Sequence, residues 1–230
     1  MDVPAMLANQ PPPRISVIVV ASGDGLTNVF RSLGATAVVQ GGQTMNPSTA
    51  QLLEAVDSAA SDEVLILPNN KNILMAAEQA AEVSEKQVRV VPTRTIPQGV
   101  SAMLALDQDA ALDQNVDAMM SYARDVITGE ITWATRDVRF NGIRVQEGDA
   151  IGLLEDELVV SARSLGEAVR WLLAEVDLKH RELVTLYYGA EIQSAEADQL
   201  AEELMNEYPE LEFEVVEGGQ PHYPYILSAE

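Results

Sequence analysis

The chain has 230 residues, 47% of them apolar, with a formal charge of −22, two histidines and no cysteine. That apolar share supports a sizeable core in one large domain or two small ones, while the missing cysteines exclude disulfides, thiolate nucleophiles and cysteine-held metals. The charge argues against nucleic acid or an anionic membrane as partner, and no apolar run reaches the roughly 18–20 residues of a membrane helix, so no membrane insertion and a cytoplasmic location are expected.

In chain order, residues 1–14 contain Pro11-Pro12-Pro13 and read as a linker. Ile15–Val20 (ISVIVV) is a β-branched run suited to a strand buried on both faces of a parallel sheet. A glycine turn, Ala21-Ser22-Gly23-Asp24-Gly25, leads into a helix over Leu26–Leu33, and Ala35–Val39 forms the next strand. Beyond Pro47, Ser48 or Asn46 caps a helix that runs through Ala60. Strand Val64–Leu67, helix Ile73–Val83 and strand Val88–Val91 follow, and the loop Thr93–Gly99 precedes an Ala- and Met-rich helix. Alternating strands and helices predict a doubly wound parallel sheet in a first α/β lobe, residues 15–111.

From residue 112 to 230 the pattern predicts a second, mixed α/β lobe. A helix over Asp113–Ile127 gives way to short runs, Ile131–Val138, Ile143–Val145, Ile151–Leu154 and Leu158–Val160, that read as an antiparallel meander with an Asn141-Gly142 hairpin turn. Ser164 to Glu167 has capping-box spacing ahead of a helix with Val169, Leu172 and Leu173. Strand Leu183–Tyr188, an acidic helix over Ala195–Asn206 and strand Leu211–Val216 complete the pattern. The fold class is therefore α/β and two-lobed.

The two ends resemble each other. ISVIVVASGDG, helix, ATAVVQGGQ matches ELVTLYYGAEI, helix, EFEVVEGGQ as strand, glycine turn, helix, strand and Gly-Gly-Gln. A weak internal duplication of this kind sets two lobes face to face through equivalent loops, with a cleft between them. The candidate ligand-binding or docking residues lie on the loops after the strands. Gly41, Gly42, Gln43, Thr44, Asn46, Ser48 and Thr49 offer open backbone amides, hydroxyls and a helix N-terminus suited to an anion. Asn69, Asn70 and Asn72 add amides, and Thr93, Arg94, Thr95, Gln98 and Gly99 add a guanidinium suited to an oxyanion. Gly218, Gly219, Gln220 and His222 form the second Gly-Gly-Gln loop. Each loop taken singly also reads as an ordinary turn or helix cap.

No catalytic signature stands beside these loops: GxxxxGK[ST], GxSxG and HExxH are all missing. Asp107, Asp109, Asp113 and Asp117 read as a solvated face around a helix start, and Arg136-Asp137 as a local ion pair. Neither a catalytic residue nor a metal site is expected.

Six ordered motifs, GGQTMNPST, LPNNKNI, VPTRTIPQG, ITWATRDV, TLYYG and GGQPHYPYILSAE, closely resemble the C-terminal domain of the bacterial fatty acid kinase catalytic subunit, in the dihydroxyacetone kinase-like or DAK phosphatase family. The resemblance covers Ile15 to Glu230. It implies a system in which an N-terminal kinase domain, on the same or a separate chain, binds ATP and Mg and phosphorylates a fatty acid held by an acyl-binding subunit. No cofactor is then expected in this chain. Ser22–Asn28 only faintly resembles that family's metal-binding loop, because Leu26 stands where a further aspartate belongs. Neither histidine occupies the family position that attaches dihydroxyacetone.

The resemblance implies a non-catalytic domain that docks the acyl-binding subunit, senses a small anionic ligand, or both, in support of phospholipid synthesis. The alternatives are an enzyme domain acting on a small phosphorylated or carboxylated metabolite, and a stand-alone lipid carrier. A homodimer is compatible with every one of these. The linker-like start reads as a portion of a longer protein.

Overall fold

A computed structural model describes residues 13–42, 46–140 and 142–230. The first sheet holds β1 (Ile15–Ala21), β2 (Ala37–Gln40), β3 (Glu63–Leu67) and β4 (Gln87–Val90), all parallel, in the order β2-β1-β3-β4. Side-chain alternation along β1 divides its apolar residues between two faces. Ile15, Val17, Val19 and Ala21 meet α1 (Asp24–Ser32), α4 (Ile96–Leu104) and α5 (Leu112–Arg124). Ile18 and Val20 meet α2 (Thr49–Asp57) and α3 (Lys71–Val83). The doubly wound arrangement is as expected. Ser48 caps α2 through a full capping box with Gln51.

The second sheet is mixed, in the order β11-β10-β12-β5-β8-β9. Its strands are β5 (Ile127–Trp133), β8 (Ala150–Leu154), β9 (Glu157–Ala162), β10 (Leu183–Tyr188), β11 (Glu212–Glu217) and β12 (Tyr225–Ala229). Helices α6 (Leu165–Glu175) and α7 (Ser194–Glu207) cover one face through Val169, Leu172, Leu200 and Leu204. On its other face Tyr187 and Ile226 join the core of α1, α4 and α5. The layers therefore run helix, sheet, helix, sheet, helix, and the middle helices serve both sheets. α5 buries Leu112, Met119 and Ala123 in that middle core, so the apolar packing is continuous across the expected lobe boundary at residues 111 and 112.

Three expectations need correction. The helix read through Ile127 stops at Arg124, and Ile127–Trp133 is strand. Gly129 misled the reading; it lies inside β5 because a Cβ there would come within 2.5 Å of Leu172 Cδ2, on the helix packed above. The meander is interrupted: β6 (Val138–Phe140) and β7 (Ile143–Val145) pair as a separate two-stranded sheet, and β8 returns to pair antiparallel with β5. Asn141, in the expected hairpin turn, lies outside the described residues, as do residues 1–12 of the expected linker. Finally, Tyr225–Ala229 is an internal strand between β10 and β5, which its prolines at 221 and 224 concealed.

The proposed duplication has a structural counterpart. β1-α1-β2 and β10-α7-β11 are both strand-helix-strand units with parallel pairing, one in each sheet. Their loops meet directly. α1 has no side-chain cap on its N-terminus, but its Leu26 N–H donates to the Gly218 carbonyl at 2.8 Å. Such close approach requires glycine: a Cβ on Gly25 would stand 2.0 Å from the Glu217 oxygen, and one on Gly23, at φ 109°, 2.5 Å from the Gly218 oxygen. Gly25→Ala is expected to cost about 1–3 kcal/mol in urea unfolding, the range for an overpacked contact. At Gly42 the nearest atom to an added Cβ is 3.6 Å away, and Gly42→Ala should cost less than about 1 kcal/mol.

Candidate functional site

Beyond the C-terminal ends of β1, β2 and β3 the two sheets enclose a crevice of about 130 Å³. Ser22, Gly41, Gly42, Pro68, Asn69 and Asn70 line it from the first sheet, joined by Ile96 of α4. Glu130 of β5, Ile226 of β12 and the loop Gln220–Tyr223 line it from the second. Six of the residues singled out in the sequence are thus brought together: Gly41, Gly42, Asn69, Asn70, Gln220 and His222.

Asn69 frames the crevice. Buried and at φ 52°, it donates from Nδ2 to the Val20 carbonyl (3.0 Å) and accepts at Oδ1 from the Thr93 hydroxyl (2.7 Å), while the Asn69 N–H reaches Thr93 Oγ1 (3.2 Å). One side chain so joins β1, β3 and the loop before α4. Gly99 makes room for it, since a Cβ there would fall 2.1 Å from Asn69 Oδ1. Asn70 caps α3 by accepting the Asn72 N–H at 2.8 Å. Gln220 is buried and donates to the carbonyls of Tyr187 (2.9 Å) and Tyr223 (3.1 Å). His222, exposed at φ 69°, accepts through its carbonyl from the Thr132 hydroxyl (2.7 Å).

The other named residues lie around this centre and do not line it. Asn46 and Ser48 are exposed, and Thr49 Oγ1 donates to Gln79. Thr95 caps α4 and also bonds Thr128 of β5 at 2.8 Å, a second link between the sheets. Gln98 accepts the Arg94 N–H, and the Arg94 side chain faces solvent away from the crevice. Gly218 and Gly219 donate their N–H groups to the Tyr188 carbonyl and pack against the start of α1. Gln43 and Thr44 lie outside the described residues. Asp107 accepts the Asp109 N–H, and Asp113 pairs with Arg89. The expected Arg136–Asp137 pair does not form, because Asp137 accepts the Glu147 N–H instead.

Sequence reading missed Glu130 and Tyr223. Glu130 was assigned to the gap between a helix and a strand; its signal was the alternation Thr128, Glu130 and Thr132 opposite Gly129 and Ile131. Glu130 is buried and faces the crevice, where no arginine or lysine joins it in the lining. The nearby Lys71 is held by Asp156 at 2.8 Å. Burial, then the charges of Glu130 and Asp156, pushes the Tyr223 phenol well above its ordinary value. Tyr187 and Tyr225 are raised as well, burial again being the main cause. As arranged, the crevice is narrow, acidic and donor-seeking.

Two measurements check this account. Thr93→Val keeps the shape but leaves Asn69 Oδ1 without its donor, and should cost about 1–3 kcal/mol in urea unfolding. A phenol with a raised folded pKa leaves stability intact below the ordinary tyrosine range, near pH 10, and erodes it as pH rises toward the folded value. Tyr187, Tyr223 and Tyr225 should therefore ionise only together with unfolding in an ultraviolet titration above about pH 10. Ionisation of all six tyrosines with the circular dichroism still native would contradict it.

The family described as fatty acid kinase FakA-like, C-terminal, matches residues 16–230. Protein YloV of Bacillus subtilis (strain 168) is 41% identical over 225 residues, covering 96% of this chain and 41% of that protein. The chain thus spans about two fifths of the length of the curated relatives it matches. Among solved structures, dihydroxyacetone kinase from C. freundii with AMP-PNP and Mg2+ has a TM-score of 0.65 at 15% identity, covering 96% of this chain and 49% of that one. The Streptococcus pneumoniae fatty acid kinase B3 protein loaded with linoleic acid has a TM-score of 0.61 at 10% identity, covering 94% and 99%. These two likenesses show a shared fold. Through the match over nearly its full length, the chain belongs to the FakA-like, C-terminal family of fatty acid kinases.

Proposed function

We propose that this chain is a non-catalytic domain of a fatty acid kinase system, that it docks the acyl-carrying subunit, and that it holds no acyl chain itself. One observation carries the reading. The fold is shared with a protein loaded with linoleic acid, yet the crevice between the sheets measures about 130 Å³, below the roughly 300–1,000 Å³ of pockets that bury a drug-sized ligand. A carrier's fold without a carrier's cavity suits a domain that pairs with the carrier. ATP, Mg and the phosphoryl transfer belong, on this reading, to the kinase domain of the system, and the site of action is cytoplasmic. Among the described residues, no helix is long and apolar enough to cross a membrane.

Docking falls to the rim, where Asn46, Asn72, Arg94 and His222 are exposed around the crevice mouth. Sensing of a small anion inside the crevice, and turnover of a phosphorylated or carboxylated metabolite there, are both disfavoured by Glu130 and by a lining without arginine or lysine. A chain of −22 also favours a partner whose facing surface is largely basic, with an association that weakens with salt.

Calorimetric titration with the acyl-binding subunit of the same organism, loaded and unloaded, at two salt concentrations, tests the proposal. Micromolar or tighter binding that weakens with salt is expected. Arg94→Ala with Asn72→Ala should weaken it by about tenfold, the effect of losing an interface anchor worth roughly 1.4 kcal/mol. Absence of binding in both states would overturn it.

A further inference from the structure

The two-stranded appendage β6–β7 carries a charge pattern at odds with the rest of the chain. Its register sets Val138 opposite Val145, Arg139 opposite Arg144 and Phe140 opposite Ile143. Alternation gathers the four apolar residues on one face and leaves the two arginines facing each other on the other. Like charges at opposed positions destabilise a β-ladder. The chain has 36 acidic residues to relieve this, yet Arg136, Arg139 and Arg144 enter no ion pair among the described residues. Unrelieved repulsion within an acidic chain points to a charge supplied from outside.

The basic face continues beyond the hairpin. Arg144 borders two adjoining grooves, one with Arg139 and the other with Arg163 and Trp171. Trp171 stands on α6 with half its surface exposed. Two carboxylates share these grooves, and both are engaged by their own surroundings. Asp137 accepts the Glu147 N–H at 2.8 Å. Asp149 is buried and accepts from the Gln146 N–H (2.7 Å), the Ser161 hydroxyl (3.1 Å) and Arg163 (3.2 Å). The guanidiniums of Arg139 and Arg144 are left for a ligand. Arginine and tryptophan are the side chains most enriched at energetic centres of protein interfaces, and paired guanidiniums suit carboxylates geometrically.

We infer that the stripe of Arg139, Arg144, Arg163 and Trp171 docks an acidic segment of the acyl-carrying subunit; the inference rests on the docking function above. The segment's carboxylates bridge Arg139 and Arg144, and an apolar side chain covers Trp171. A protein segment fits better than an anionic membrane. A membrane presents unbroken negative charge to the whole acidic chain, whereas a segment presents it only at the stripe.

The test compares affinities of the intact chain and its variants for the acyl-binding subunit, and in parallel for vesicles of phosphatidylcholine with phosphatidylglycerol. Arg139→Glu with Arg144→Glu should weaken subunit binding by about tenfold or more, and Trp171→Ala by about tenfold. Arg124→Glu, on the exposed end of α5, should leave it within about twofold. Arg139→Gln with Arg144→Gln, each variant checked for a native far-UV spectrum, repeats the loss without introducing new charge. If the wild-type chain does not bind the subunit, the docking function falls and this inference with it. If wild type and both double variants bind the subunit equally, the stripe alone is refuted. Vesicle binding lost in the double variants, with subunit binding unchanged, would also refute it and assign the stripe to a lipid surface.

Discussion

The hydrogen bond from the Leu26 N–H to the Gly218 carbonyl is the joint on which the rest of the structure turns. A helix begins with orphan N–H groups, and α1 has no side chain to satisfy them. The second sheet supplies a backbone carbonyl instead, across a contact so close that Gly23 and Gly25 admit no side chain. The turn Ser22–Gly25, which faintly resembled a metal-binding loop, is therefore an assembly joint. It draws the end of β1 onto the end of β11, and Thr95 with Thr128 makes a second link between the sheets. What remains between the sheets is a crevice too small for a long ligand.

Polarity follows from the same arrangement. On β5, β10 and β12, alternation sends Ile131, Val184, Leu186 and Leu227 to the core beneath α6 and α7, and Thr128, Glu130, Thr185 and Ser228 toward the first sheet. Those polar residues sit where two layers meet, and Glu130 opens onto the crevice. A buried carboxylate in a low-dielectric crevice opposes a second negative charge. The cations nearest the mouth are elsewhere engaged or directed, Lys71 by Asp156 and Arg94 toward solvent. Recognition is therefore left to the rim and to the arginine-bearing hairpin.

The sequence made much of this legible where pattern and burial agree. Continuous β-branched runs marked β1, β3 and β10, because a strand covered on both faces has no polar side to confuse the reading. Ser48, Asn70 and Thr95 declared themselves as caps, and the repeated strand, glycine turn, helix and strand marked both halves of the joint. Legibility failed where a local signal yielded to tertiary contact. Gly129 looked like a breaker, but its missing side chain admits Leu172. Pro221 and Pro224 made the last strand look like loop. Candidate site residues were found as loop residues, yet nothing in a single chain's spacing tells that Asn69 would bond across to Val20 and Thr93 while Arg94 turned outward. That distinction depends on the register between strands far apart in sequence.

The central claim is that this domain keeps a carrier's fold but carries nothing. Native mass spectrometry of the chain, purified gently from cells grown with added fatty acid, tests it directly. The account predicts the mass of the bare polypeptide. A stoichiometric adduct with the mass of a fatty acid, released on denaturation, would contradict it and make the chain a carrier in its own right.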